Sequence, residues 1–216
     1  MAKKKPVATE RSKAVSKAKP TARSAKAAKP IASGTIYQLK ITLEGIRPPI
    51  WRRVQTKDCS LAKLHDLIQV GMGWFDGHLH VFQIGGDEYG DPVQWPKDGM
   101  FDEEKLDEHK LKLSEIVGWG LKKFRYEYDM GDSWLHAILM EKVVAPDAGA
   151  KYPRCIAGAR ACPPEDCGGP WGYGDLLDAL EKPQGPRHQE ILEWLGGDFD
   201  PEAFDVEEIN RTLQKR

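Results

Sequence analysis

The sequence has no long run of apolar residues. Within its 216 residues no stretch approaches the 18 apolar residues that a membrane-spanning helix needs, and the N-terminal part has no apolar core of the kind that defines a secretory signal. Its four cysteines, three of them clustered, do not resemble the disulfide framework of a small secreted domain. These absences predict a cytosolic protein without a membrane anchor.

The common nucleotide and metal motifs are also missing. The glycine-rich stretch GGPWGYG is not followed by the Gly-Lys-Ser/Thr of a phosphate-binding loop, and the sequence has no two paired CxxC units. No spacing of Ser, His and Asp, or of Cys and His, identifies a hydrolase. The motifs alone therefore do not name a reaction.

The first 34 residues lack aromatic side chains and nearly lack acidic ones. They carry a net charge of +9, with Glu10 as their one acidic residue, whereas the remainder of the chain carries −10. Because such a segment cannot bury enough apolar surface to offset the entropy of ordering, we predict a disordered basic tail over 1–34 and a single domain over 35–216. The tail's basic residues are candidates for binding nucleic-acid phosphates, and the alternative is a solubilising extension. They are Lys3, Lys4, Lys5, Arg11, Lys13, Lys17, Lys19, Arg23, Lys26 and Lys29.

Hydrophobic periodicity predicts an α+β fold, with a mostly antiparallel sheet packed against helices and a C-terminal helical segment. The clearest strand alternates Tyr37, Leu39, Ile41 and Leu43 with polar residues, and the clearest helix is SLAKLHDLIQVGMGW, capped by Asp58 or Ser60. Further strands are predicted at 50–54 and 78–84, a surface excursion at 85–110, and a hairpin at KKFRYEYDMGDSWLHAILMEKVV. Short helices are predicted at KLSEIVG, YGDLLDALE, RHQEILEWLGG and DPEAFDVEEINRTL.

The hairpin supplies a candidate pocket. We interpret Met130–Gly131 as a two-residue turn, which pairs Glu127 with Trp134, and directly opposed residues share a face. This register predicts one polar face that could bind a cation or a polar ligand, or form the water-facing side of the sheet. Its residues are Arg125, Glu127, Asp129, Asp132, Trp134 and His136, while Phe124, Tyr126, Tyr128, Leu135, Ala137 and Leu139 face the core.

Histidines and cysteines supply a candidate metal site. His78 and His80 lie two apart on a predicted strand, so they point the same way, either to one metal or as hydrogen-bonded residues at the core margin. Cys155, Cys162 and Cys167 could bind zinc with His78, His80, His136 or Cys59 as fourth ligand, although only the spacing of the last two is typical of a zinc knuckle. The alternative is a stiff turn that docks Trp171 and Tyr173. His65 and His109 lie alone in the sequence, and their positions do not indicate a functional site.

Several segments together resemble a known family. They are YQLKITLEGIRPPIWRRV, LAKLHDLIQVGMGWFDGHLHVFQI, YEYDMGDSWLHAI, CIAGARACPPEDCGGPWGY and EILEWLGGDFDPEAFDVEEIN. In this order they resemble the plasmid pRiA4b ORF-3-like family over about residues 35–214. The resemblance implies a compact α+β domain of bacterial, cytosolic origin. Members have been labelled resolvase-like, but the resemblance brings no catalytic residues, and this chain lacks the serine-centred signature of a serine recombinase.

Two functional hypotheses follow. The first is a non-enzymatic binding or adaptor module, associated with nucleic acid through its tail. The second is a metal-dependent enzyme, hydrolase-like, with a pocket of His, Asp and Cys. In the second, His78, His80, Asp132 or His136 would bind the metal, and Glu127 or Asp129 would act as general base.

Overall fold

The computed structural model of the chain describes residues 34–96 and 105–215. The predicted disordered tail and its ten basic residues lie outside this range. Within it, the strands are β1 (Ile36–Leu43), β2 (Trp51–Lys57), β3 (His80–Ile84), β4 (Asp87–Gly90), β5 (Leu106–Asp107), β6 (Lys123–Tyr128), β7 (Trp134–Val144) and β8 (Arg154–Ala159). The helices are α1 (Leu61–Met72), α2 (Leu113–Gly118), α3 (Gly169–Leu180), α4 (Pro186–Leu195) and α5 (Val206–Leu213).

The eight strands form one sheet in the order β5-β4-β3-β6-β7-β1-β2-β8. Every neighbouring pair is antiparallel except the short pair β4 and β5. The hairpins β1–β2 and β6–β7 lie side by side, because β1 also pairs with β7. The predicted α+β fold with a mostly antiparallel sheet is confirmed.

The core joins the sheet to α1. The alternating side chains of β1 and the periodic ones of α1 belong to the same buried cluster, as their spacing predicts. Burying each such side chain contributes roughly 1.5–3 kcal/mol to folding. They are Tyr37, Leu39, Ile41 and Leu43 on β1, and Leu61, Leu64, Ile68 and Met72 on α1.

Both ends of α1 are fixed by local chemistry. The Ser60 hydroxyl caps the first turn by accepting a hydrogen bond from Lys63 N, whereas Asp58 accepts from Ser114 of α2 instead. The helix ends at Gly73, whose φ of 90° lies in the left-handed region that glycine adopts most readily. The chain then leaves α1 as a short loop that leads into β3.

Strand β8 was not predicted, because its residues CIAGA have no clear alternation. It lies at an edge of the sheet, where the side chain of Asn210 on α5 forms hydrogen bonds with the backbone of Cys155. Asn210 Oδ1 accepts a hydrogen bond from Cys155 N at 2.8 Å, and its Nδ2 donates to Cys155 O at 2.9 Å. One amide side chain thus takes the place of a further strand at this edge.

The register between β6 and β7 differs from the predicted one. Tyr128 pairs with Trp134 and Tyr126 with His136, because residues 129–133 form a five-residue loop instead of a two-residue turn. A shift of one residue moves alternate side chains to the opposite face of the sheet. Trp134 and His136 are therefore buried with the tyrosines, and the predicted single polar face is wrong.

His136 is a fully buried histidine of this core. Its Nδ1 donates a hydrogen bond to Trp134 O at 2.9 Å, and its ring lies 5.4 Å from that of Trp74 and 5.3 Å from that of Tyr126. Burial lowers the pKa of His136 to about 4. The folded protein therefore keeps this imidazole neutral well below the pH at which the unfolded chain protonates it.

We predict that His136 makes the fold sensitive to acid. The unfolded chain takes up this proton near pH 6.5, so the free energy of unfolding falls as pH decreases from about 6.5 to 4, by roughly 2.5 kcal/mol at pH 4.5. In His136→Phe, which keeps a ring in the same place, the loss between pH 7 and 4.5 should be smaller by about that amount. Urea unfolding at both pH values measures it, and an equal loss in both proteins would contradict the prediction.

Candidate functional site

The loop between α1 and β3 brings two polar side chains, Asp76 and His78, to the end of the sheet. Three successive backbone N–H groups hold it in place. Phe75 N donates to Glu165 Oε1 at 2.7 Å, Asp76 N to Gln69 Oε1 at 3.0 Å, and Gly77 N to the Tyr128 hydroxyl at 3.0 Å. The loop is thus fixed by side chains from three other parts of the chain.

Asp76, whose side chain is 41% exposed, belongs to a cluster that we call the inner centre, together with the buried residues His65, His80 and Glu108. His65 Nε2 lies 2.8 Å from Asp76 Oδ1, and His80 Nε2 lies 2.8 Å from Glu108 Oε2. The two imidazole rings stack with centroids 3.6 Å apart. His65, Asp76 and His80 place one potential metal-ligand atom each within 4.8 Å of one another.

The inner centre is nevertheless poorly arranged for a metal. Both nitrogens of His65 already have hydrogen-bonding partners, since Nδ1 lies 2.8 Å from the Tyr126 hydroxyl. The lone pairs of an imidazole lie in the ring plane, so two rings only 10° from parallel cannot both direct a lone pair at one ion between them. Burial first, and then the neighbouring His80, lower the pKa of His65, which favours its neutral form. We therefore assign the inner centre a structural role in holding Asp76 and its loop.

His78 belongs to a second cluster, the outer centre: His78, Asp129, Glu165 and Asp166. Nδ1 of His78 lies 3.7 Å from Asp129 Oδ2, and Nε2 lies 3.3 Å from Glu165 Oε2 and 3.2 Å from Asp166 Oδ1. These distances exceed the 2.7–2.9 Å that is typical of a charge-assisted hydrogen bond. His78, Asp129 and Asp166 also place one potential ligand atom each within 4.8 Å of one another.

The outer centre is open to solvent on one side only. The side chains of Asp129 and Glu165 are 11% and 12% exposed, whereas that of Asp166 is 72% exposed. Among the described residues, 34–96 and 105–215, no lysine or arginine forms an ion pair with any of these three carboxylates. A single imidazole can offset at most one of their three negative charges, so the centre favours a cation.

Neighbouring groups orient the carboxylates of the outer centre. The Tyr128 hydroxyl lies 3.1 Å from both carboxylate oxygens of Glu165. Burial and the charge of Glu165 raise the pKa of Tyr128, which keeps the hydroxyl protonated. Asp129 Oδ1 accepts hydrogen bonds from Gly131 N and Asp132 N, so its Oδ2 remains directed towards His78.

Three aspartates of the two centres have a left-handed backbone. Their φ angles are 61° at Asp76, 57° at Asp129 and 57° at Asp166. Aspartate tolerates this region better than most residues, but it still costs on the order of 1 kcal/mol. Such strain persists where the surroundings fix it, and it is frequent at functional sites.

The candidate pocket of the hairpin is not a single site. Of its six residues, only Asp129 belongs to the outer centre, and Asp132 lies beside it, accepting a hydrogen bond from Gly168 N at 3.1 Å. Arg125 forms an ion pair with Glu44, and Glu127 accepts a hydrogen bond from the Ser133 hydroxyl. The remaining two, Trp134 and His136, are in the core.

The cysteines do not form the predicted thiolate site. Cys155 lies on β8, and Cys162 and Cys167 lie in the loop that follows it. In the part of the chain that the structure describes, neither they nor Cys59 join a group of three potential metal ligands. Burial raises the pKa of all four thiols, to about 12 for Cys167 and about 11 for Cys59, so they remain neutral. The zinc site on these cysteines is wrong.

His78 and His80 are not brought together in one group of potential metal ligands. Their rings pack against neighbouring tyrosines of β6, Tyr128 and Tyr126 respectively, yet each histidine belongs to a different centre. Five residues of the two centres were not predicted from the sequence: His65, Asp76, Glu108, Glu165 and Asp166. The stretches FDGH and PPED, in which polar residues accompany turn-forming ones, contain three of these five, Asp76, Glu165 and Asp166, as well as His78.

Comparisons with known proteins identify a family and two similar proteins. The sequence matches the family described as "Plasmid pRiA4b ORF-3-like protein" over residues 35–208. It is 36% identical over 181 residues to "Uncharacterized protein y4hQ" of Sinorhizobium fredii, covering 83% of this chain and 91% of that protein. The structure is similar to the "Crystal Structure of Protein of Unknown Function MM3350 from Methanosarcina mazei Go1", with a TM-score of 0.72 and 37% identity, covering 81% of this chain and 97% of that one. None of the helices described is long and apolar enough to cross a bilayer.

We predict that Gly169 fixes the loop of the outer centre. Its φ is +68°, and a Cβ there would lie 2.4 Å from Asp132 O, so Gly169→Ala should lower the free energy of unfolding by at least about 2 kcal/mol. Gly174→Ala on the same helix is the matched control, because a Cβ there meets nothing within 4 Å and alanine favours a helix. Thermal unfolding measures both, and equal stability of the two variants would contradict the prediction.

Proposed function

We propose that this chain, which belongs to the plasmid pRiA4b ORF-3-like family, is a non-enzymatic binding module that holds a divalent metal ion at its outer centre. The observation that carries the proposal is the placement of three carboxylates around His78 with no lysine or arginine paired to them among the described residues. Ligand atoms about 2.0–2.3 Å from one ion lie roughly 3–4.5 Å apart. His78, Asp129 and Asp166 place one potential ligand atom each within 4.8 Å of one another, which is close to that spacing.

The donor set indicates which ions fit. One imidazole nitrogen and several carboxylate oxygens suit zinc or manganese, whereas magnesium and calcium prefer oxygen ligands alone. Zinc thus remains a candidate, bound by nitrogen and oxygen instead of thiolate sulfur. We place the module in the cytosol, where its neutral thiols are compatible with a reducing environment.

We predict that the double variant Asp129→Asn/Asp166→Asn loses the metal. Each amide keeps the shape of the carboxylate and tolerates the left-handed backbone, but it removes one negative charge. Isothermal titration of zinc or manganese should give one site per chain in the wild type and at least about 100-fold weaker binding in the variant. Asp178→Asn, at a side chain 75% exposed on α3, is the matched control and should bind as the wild type does.

Metal analysis of protein purified without chelators provides the second readout. We expect near-stoichiometric metal in the wild type and in Asp178→Asn, and little in the double variant. The same affinity and metal content in all three proteins would show that the outer centre is not the site.

A metal-dependent hydrolase is the second candidate, favoured by the exposure of Asp166 on the side where water can approach. Glu165 is then the candidate general base, because the Tyr128 hydroxyl orients it. Glu127 is no longer a candidate, since it contacts Ser133. Zinc-loaded wild type and Glu165→Gln should hydrolyse a nitrophenyl ester equally if the chain is a binding module, and a large loss in the variant would favour the enzyme.

We also propose that the basic residues of the N-terminal tail bind nucleic acid. In a full-length variant with six lysines replaced by glutamine (Lys3, Lys4, Lys5, Lys13, Lys17 and Lys19), affinity for duplex DNA should fall. The slope of log K against log salt should become shallower by up to about 5, because each lost phosphate contact contributes roughly 0.9. The same six lysines replaced by arginine are the matched control, and an unchanged slope in the glutamine variant would contradict the proposal.

A further inference from the structure

A groove of about 250 Å³ lies between α3 and α4. Leu176, Ile191 and Trp194 give it an apolar floor, and its charged lining residues are Asp166, Asp175 and Arg187. Trp194 is 50% exposed. Large apolar side chains of this kind, rimmed by polar ones, are typical of a binding surface.

A second tryptophan of the same helix pair is still more exposed. Trp171, in the first turn of α3, leaves 90% of its surface open to water, the highest value among the exposed large apolar residues described. The interactions that hold the first turn of α3 act through Gly168 and Gly169, so this indole is not needed to anchor the helix. Two exposed indoles on α3 and α4 are therefore available to a ligand.

The part of the chain that forms the groove is acidic. Residues 166–195 contain six acidic residues but only Lys182 and Arg187 as basic ones, which gives a net charge of −4. Those two form exposed ion pairs with Asp178 and Asp175 at 3.9 and 3.8 Å, and pairs of this kind contribute little. The groove therefore favours a cationic occupant.

We propose that the N-terminal segment of the same chain, residues 1–33, occupies this groove. Its net charge of +9 is complementary to the −4 of residues 166–195, which form the groove. Lysine stems can cover the apolar floor while their ammonium groups reach Asp166 and Asp175, and an ammonium over an indole face adds a cation–π contact. Asp166 lines the groove and also belongs to the outer centre, so a metal ion and the segment would share this carboxylate.

The segment is long enough to reach the groove within one molecule. Thirty-three extended residues span at most about 110 Å, whereas eight strands spaced about 4.8 Å apart give a sheet only about 34 Å wide. Attachment to Gly34 keeps the segment at an effective concentration on the order of millimolar near the groove. Intramolecular binding therefore competes with partners in solution, nucleic acid included.

The test uses a fluorescent peptide of residues 1–33 and full-length protein whose own segment has its eight lysines replaced by glutamine. Anisotropy is measured in about 20 mM salt, where screening is weak, with EDTA so that no metal takes part. We expect the peptide to bind this protein, and to bind at least fivefold more weakly when Asp166→Asn/Asp175→Asn or Trp194→Ala is added.

Matched controls remove the same groups from other parts of the surface. Asp87→Asn/Asp147→Asn removes two exposed charges and Trp119→Ala removes an indole 43% exposed, and both should bind the peptide within twofold of the parent. The wild-type chain, whose own segment competes, should bind the peptide at least tenfold more weakly. No binding by the parent, equal binding by groove and control variants, or equal binding by the wild type would each overturn the proposal.

Discussion

Two tyrosine hydroxyls on β6 connect the sheet to α1, to the loop that follows α1 and to the cysteine-rich segment. Tyr126 forms hydrogen bonds with α1: its hydroxyl lies 2.8 Å from His65 Nδ1 and 3.1 Å from Gln69 Nε2. Tyr128, two residues along and therefore on the same face, contacts Gly77 of the loop and Glu165 of the cysteine-rich segment. Burial raises the pKa of both phenols, so both remain protonated donors. Because one strand orients a helix and two loops, both histidine centres depend on the position of β6.

The sequence was sufficient to predict secondary structure where periodicity and capping are strong, as in β1, α1 and the end of α4 at Gly196. It was insufficient for β4, β5 and β8, which are short or lack alternation. The hairpin register could not be deduced, because β7 is apolar at both parities: Trp134 and Ile138 suit the core as well as Leu135 and Leu139 do. The loop conformation set by Asp129 decided it. Glu165 and Asp166 lie almost ninety positions from His78, so only the folded chain brings them together.

Part of the acidity of the C-terminal helices has a structural origin. Asp205 caps α5 by accepting from Glu207 N and Glu208 N, and acidic residues in a first turn interact favourably with the helix dipole. That explanation does not extend to Asp175 and Asp178 within α3, or to Glu190 and Glu193 within α4, which lie beyond the first turn. Their charges add no capping: Asp175 and Asp178 form only long, exposed ion pairs, and Glu193 accepts a hydrogen bond from Gln189 Nε2 at 3.1 Å. Helix capping therefore does not explain the negative charge within α3 and α4.

The two histidine centres differ in the distance between their imidazole nitrogens and the neighbouring carboxylates. In the inner centre each imidazole approaches a carboxylate to 2.8 Å, so one nitrogen of each ring forms a direct hydrogen bond, whereas His80 Nδ1 is buried without a partner among the described residues. In the outer centre the corresponding separations are 3.2–3.7 Å, so the same kinds of group are gathered without completing those bonds. Gathering unpaired carboxylates costs free energy, and an ion that coordinates them would offset that cost. The same residue types thus form direct hydrogen bonds in one cluster and, under the proposed function, a cation-binding centre in the other.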